Sequence, residues 1–101
     1  MDVLKMKRIE LIIPKSQEED IIQVLTKIEI GFSLVDDIRG MGKSGLRDGI
    51  GLTDAFHNVL FIIIVQNEQL DMVIQKVSSF YKRAGGLIMV SDVEIWNHKT
   101  I

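Results

Sequence analysis

Apolar and polar positions alternate with different periods along this chain, and each change of period marks a new element. Residues 7–14, KRIELIIP, set Ile9, Leu11 and Ile13 on one face against Arg8 and Glu10 on the other, and Pro14 closes the run, which predicts a strand. The period then lengthens. In SQEEDIIQVLTKIEIG, residues 16–31, Ile21, Ile22, Leu25 and Ile28 recur at helical spacing, Ser16 and Glu19 form a capping-box pattern, and Gly31 follows the end. FSLVDDIR, residues 32–39, carries Phe32, Leu34 and Ile38 at even spacing with Asp36 interrupting, and predicts a second strand. VLFIIIV, residues 59–65, is rich in β-branched residues and too short for a helix, so a central strand covered on both faces is expected. NEQLDMVIQKVSSFYKRAGG, residues 67–86, starts with a capping Asn67 and carries Leu70, Val73, Ile74, Val77 and Tyr81 on one stripe. Lys82 and Arg83 then precede Gly85 and Gly86, as at a helix C-terminus. LIMVSDVEIW, residues 87–96, is the last strand. The order β-α-β-β-α-β predicts an α+β, ferredoxin-like fold: a four-stranded antiparallel sheet with two helices on one face.

The third strand adds a requirement. Helices on one side of a single sheet cover one face, yet residues 59–65 are apolar at every position, so the open face is expected to be buried by self-association. Leaving such a surface in water costs about 25 cal/mol per Å² of apolar area, and monomers seldom expose contiguous patches beyond a few hundred Å².

Composition narrows the function. A chain of 101 residues, 47% apolar and 26% charged, is expected to be one folded domain over residues 1–101. A net charge of -2 supplies no basic field for nucleic acid. The absence of cysteine removes disulfides, thiol catalysis and thiolate metal sites, and suits a reducing compartment. The longest apolar run, residues 59–65, cannot span a bilayer, and the opening MDVLKMKRIELIIP lacks the features of a signal peptide. The expectation is a cytoplasmic protein without direct membrane insertion.

Between the second and third strands, residues 38–58, IRGMGKSGLRDGIGLTDAFHN, hold five of the eight glycines. The GKS after Gly42 ends like a phosphate-binding Walker motif, but Asp37 stands where that motif needs its first glycine, and Gly45 and Gly49 follow where it needs a helix. The physics of the motif survives: glycines let backbone N–H groups converge on an anion, and Lys43 adds a charge. A plain hairpin needs two to five residues, so this longer connection is expected to bind something. Ser44, Arg47 with Asp48, Thr53 with Asp54, Phe56 and His57 supply the contents of a recognition surface.

The element order, together with IGFSLVDDIRGMG, the long loop, VLFIIIV and GGLIMVSDVEIW, resembles the PII-type signalling proteins over nearly the whole chain. The resemblance implies a homotrimer whose sheets pack face to face. It implies an adenine nucleotide, AMP, ADP or ATP, in clefts between subunits, and a long loop that carries the signal to a transporter or enzyme target. It places Arg39, Gly40, Met41 and Gly42 at one wall of the cleft and Gly85 and Gly86 at the phosphate-side turn, where Lys43, Lys82 and Arg83 are expected to add positive charge. Ser44, Arg47, Asp48, Phe56 and His57 then belong to the partner-recognition loop. The chain departs from the family pattern in three places. The second glycine turn is shortened, with Leu87 where the family has a phosphate-binding lysine; His98 and Lys99 stand near the family's arginines; and the long loop has no tyrosine.

Other chemistry is less well supplied. His57, His98 and Asp54 are suitable metal-ligand types without metal-ligand spacing, although a trimeric metal- or small-effector-binding protein of the same fold is the alternative reading. Trp96 suits an interface better than a base stack. No nucleophile has an evident base, so an enzyme is not expected.

Overall fold

The backbone of the first strand is extended from Leu4 rather than from residue 7 because its leading residues pair with the end of the chain's last strand. In a computed structural model, which describes residues 3–39, 41–42, 45–46 and 57–96, β1 (Leu4–Pro14) leads through a short 3₁₀ turn (Lys15–Gln17) into α1 (Glu18–Lys27). β2 (Ser33–Ile38), β3 (Met41–Gly42), β4 (Gly45–Leu46) and β5 (Asn58–Val65) follow. A second 3₁₀ turn (Asn67–Gln69), α2 (Leu70–Ala84) and β6 (Leu87–Ile95) complete the order. Four strands form one sheet in the order β2-β5-β1-β6, with antiparallel neighbours throughout. This is the ferredoxin-like arrangement expected from the periodicity, with β5 and β1 at the centre.

Register sorts the side chains. Ile9, Leu11 and Ile13 pair with Ile63, Phe61 and Val59, and all of them are fully buried beneath the helices, whose own contribution is Ile21 and Leu25 from α1 and Val73 and Val77 from α2. Each such side chain contributes about 1.5–3 kcal/mol by leaving water. Phe32 extends this core toward the sheet edge, its ring tilted against Phe61 at 5.4 Å between centroids. Among the described residues no helix lies on the opposite face. There Ile12, Leu60, Ile62 and Ile64 are half-buried by one another, while Val35, Leu87 and Met89 are exposed. The strict alternation along β5 thus separates a dry face from an open apolar one. Among the described residues no helix is long and apolar enough to cross a membrane.

Three local expectations need correction. α1 begins at Glu18 and not at Ser16: the chain leaves Pro14 through a 3₁₀ turn, no side-chain cap bond closes the start, and the Glu18 carboxylate instead accepts from Lys15 Nζ at 2.8 Å. α1 also ends early. Glu29, not Gly31, takes the left-handed conformation (φ 60°), and the Ile30 N–H donates back to the Leu25 carbonyl, the bond pattern of a Schellman end. At the second helix, Gln66 rather than Asn67 makes the reciprocal cap, its N–H donating to Gln69 Oε1 at 2.9 Å while the Gln69 N–H donates to the Gln66 carbonyl.

Candidate functional site

Strand ends decide what can meet. Ile38 and Pro14 both pair with Asn58, and the Lys15 N–H donates to the His57 carbonyl at 2.7 Å, so the roots of the long loop, the end of β1 and the start of α1 share one end of the sheet. At that same end, Ile12 pairs with Leu87 at the start of β6, directly after Gly85 and Gly86.

Between Val35 and Ile38, β2 advances three residues while β5 advances two, from Leu60 to Asn58. The extra residue makes a bulge, and Asp37 absorbs it in the left-handed region at φ 59°, where a short polar side chain costs less than a branched one. The Asp37 N–H is taken up by Asp36 Oδ1 at 2.7 Å. Lys15 Nζ then bridges Asp36 Oδ2 at 3.0 Å and Glu18 Oε1 at 2.8 Å, tying the bulge to the first helix. Lys15 holds the Asp36 carboxyl below its ordinary range, and the Glu18 and Asp36 acceptors hold the Lys15 ammonium above its own. Beyond the bulge Arg39 is exposed, with Nε 3.6 Å from Asp37 Oδ1.

The loop root contains more order than the sequence suggests. β3 and β4 pair antiparallel, Met41 with Leu46 and Gly42 with Gly45, so a miniature ladder rises where an unstructured connection was expected. Gly40, Lys43, Ser44, Arg47, Asp48 and Phe56 lie outside the described residues, as do Asp54, His98 and Lys99. His57 is described and half-buried at the root of β5.

On the other side, Lys82 is exposed on the last turn of α2, and Arg83 lies in the same turn. Gly85 adopts φ 82° and Gly86 φ 148°; a Cβ on Gly86 would come within 2.6 Å of the Ile12 carbonyl oxygen. The turn therefore grips β1 by backbone contact that no other residue type permits. Those of the nine residues expected at a nucleotide that are described thus divide into two groups, Arg39, Met41 and Gly42 after one edge strand and Lys82, Arg83, Gly85 and Gly86 before the other, at one end of the sheet. Three interstrand spacings separate β2 from β6, about 14 Å at 4.8 Å each, so one chain does not bring them together.

Sequence reasoning missed Lys15 as the tie between loop root and helix; its position directly after a strand-ending proline was the available signal. It also missed a cleft of about 630 Å³ at the far end of β1, lined by Lys5, Lys7, Asn67, Asp92 and Glu94 among others, where Lys7 pairs with Asp92. Among the described residues no group of three or more His, Asp or Glu is placed to hold a metal ion.

Known structures share this geometry. The chain resembles the structure of CPII, a nitrogen regulatory PII-like protein from Thiomonas intermedia K12 bound to ADP, AMP and bicarbonate, at a TM-score of 0.78 and 17% identity, covering 95% of this chain and 92% of that one. A PII-like signalling protein from Thermus thermophilus superposes at a TM-score of 0.73 with 18% identity, covering 94% and 93%. A DUF3240 family protein from Shewanella baltica does so at 0.74 with 20% identity, covering 93% and 94%. At these identities the likeness concerns the fold. No curated protein matches the chain. The family profile described as nitrogen regulatory protein P-II matches residues 6–98, nearly the full length of the fold, and with the split β-α-β-β-α-β sheet, the long loop after β2 and the paired glycines before β6, it establishes that the chain belongs to the P-II family.

Proposed function

We propose that this protein is a cytoplasmic PII-like regulator that binds an adenine nucleotide in clefts between the subunits of a homotrimer and signals to a partner protein through residues 43–57. The observation that carries the reading is the division of the candidate site. Arg39, Met41 and Gly42 follow one edge strand, while Lys82, Gly85 and Gly86 precede the other, at the same end of a sheet whose open face is apolar. Packing open faces together brings the β2 edge of one copy toward the β6 edge of the next and completes a cleft that each chain holds in halves. A related fold solved with ADP and AMP supports the choice of ligand. In that cleft, backbone N–H groups of the loop root and of the Gly85–Gly86 turn suit an anion, and Lys82, Arg83 and Lys43 supply positive charge for phosphates.

Leu87 stands where the family has a phosphate-binding lysine, which favours AMP or ADP over ATP. It also leaves room for a second reading, in which a small anion is the effector. CPII was solved with bicarbonate and with acetate besides nucleotides. Calorimetry with ATP, ADP, AMP, bicarbonate and divalent metals tests both. Binding of a nucleotide is expected. No heat from any of the three at millimolar concentration, with the oligomer intact, overturns nucleotide sensing and leaves the effector or metal reading.

A further inference from the structure

Arg8 and Glu10 interrupt the open face at its centre. Their cross-strand neighbours on β5 are Ile64 and Ile62, and on β6 Ser91 and Met89, so two opposite charges sit on the middle strand of an otherwise mostly apolar surface. Their mutual contact is a single long one, Arg8 Nη2 to Glu10 Oε2 at 3.4 Å. Arg8 Nε is buried and has no hydrogen-bond partner among the described residues. A guanidinium carries further donors on its outer nitrogens, and with its side chain 38% exposed Arg8 keeps those within reach of the open face. Glu10 of the same chain takes only one of those donors, and at long range.

We propose that Arg8 and Glu10 pair between subunits, the guanidinium of one chain taking the Glu10 carboxylate of a second copy. The inference rests on the self-association proposed above and adds what selects the arrangement. Covering the open face removes water from both charges, and a buried charge without a partner is far more costly than a paired one. A face laid against copies of itself can set like against like or Arg8 against Glu10. The second arrangement gives the outer guanidinium donors an acceptor; the first is repelled. The apolar surface supplies adhesion to any greasy partner, whereas the charge pair admits its own copies in one register.

Charge reversal tests this. Arg8→Glu and Glu10→Arg, each purified alone and shown to be folded by circular dichroism, are expected to associate at least tenfold more weakly than the parent in sedimentation equilibrium. Mixed one to one, they are expected to form hetero-oligomers by native mass spectrometry, because each supplies the charge the other lacks. If the reversals do not fold, Arg8→Gln and Glu10→Gln should each weaken assembly more than the double variant does. A parent that assembles while reversals leave its association unchanged, or folded reversals that never mix, overturns the pairing alone. A monomeric parent overturns the pairing together with the self-association beneath it.

Discussion

Gly86 is held by geometry that leaves no room for a side chain. Gly86→Ala places a methyl group on the Ile12 carbonyl oxygen in a backbone region that L residues avoid, and a loss of about 1–3 kcal/mol in denaturant unfolding is expected. Glu29 presents the opposite case. It occupies a left-handed position that glycine fills without strain, so Glu29→Gly should stabilise the fold by about 1 kcal/mol in the same measurement. The Lys15–Asp36 tie sets a pH window. Its aspartate is depressed, so that part of the stability is present above the ordinary aspartate value of 3.8 and fades as pH falls through the lowered one. Its lysine is raised, so the lysine part is complete below 10.5 and fades as pH climbs through the raised value. Asp36→Asn should therefore be less stable than the parent near neutrality and converge with it in strong acid, as read from urea midpoints across pH. A constant gap at every pH would assign the loss to packing instead. Gly86 was already marked in the sequence as half of a paired-glycine turn, whereas Glu29 and Asp36 did not announce their roles, because a left-handed non-glycine residue and an ion pair between two elements depend on where the chain turns, not on residue type.

At the scale of elements, β5 turns a sequence pattern into two distinct surfaces. Ile63 is fully buried beneath the helices and Ile62 faces the open side, so Ile63→Asp should abolish folding, whereas Ile62→Asp should leave the circular dichroism spectrum intact and release subunits in sedimentation. The strand and helix order was legible because period two and period 3.6 are properties of residue spacing alone. The ends of those elements were less so: Ser16 and Asn67 have capping chemistry, but the neighbouring 3₁₀ turns shifted both helix starts by tertiary context. The β3–β4 ladder was not legible at all, since a run of glycines carries no alternation to read. We expect residues 44–55 to exchange amide hydrogens rapidly in the free protein and slowly once nucleotide or a target protein adds contacts, because ordering them costs on the order of 1 kcal/mol per residue. Uniform strong protection without ligand would assign the loop a structural role instead.

For the molecule as a whole, the candidate site was only half visible in one chain. The resemblance named both groups of residues, and the sheet order then explained why they lie about 14 Å or more apart: each is attached to a different edge strand. If the cleft forms between copies, Arg83→Ala should weaken nucleotide binding by about 1.5–3 kcal/mol in calorimetry, the scale of a hydrogen bond to a charged group, with folding unaffected. Those edges have a further consequence. Among the described residues β2 and β6 each have one side without a strand partner, and both border the apolar face, with Val35 beside one and Leu87 and Met89 beside the other. If the open face is covered by copies of the chain, a newly made chain offers strand-pairing groups and an oily surface together until it meets them. In that case synthesis at low concentration prolongs the interval, and the yield of soluble protein is expected to depend on how soon subunits find one another as well as on how well each one folds.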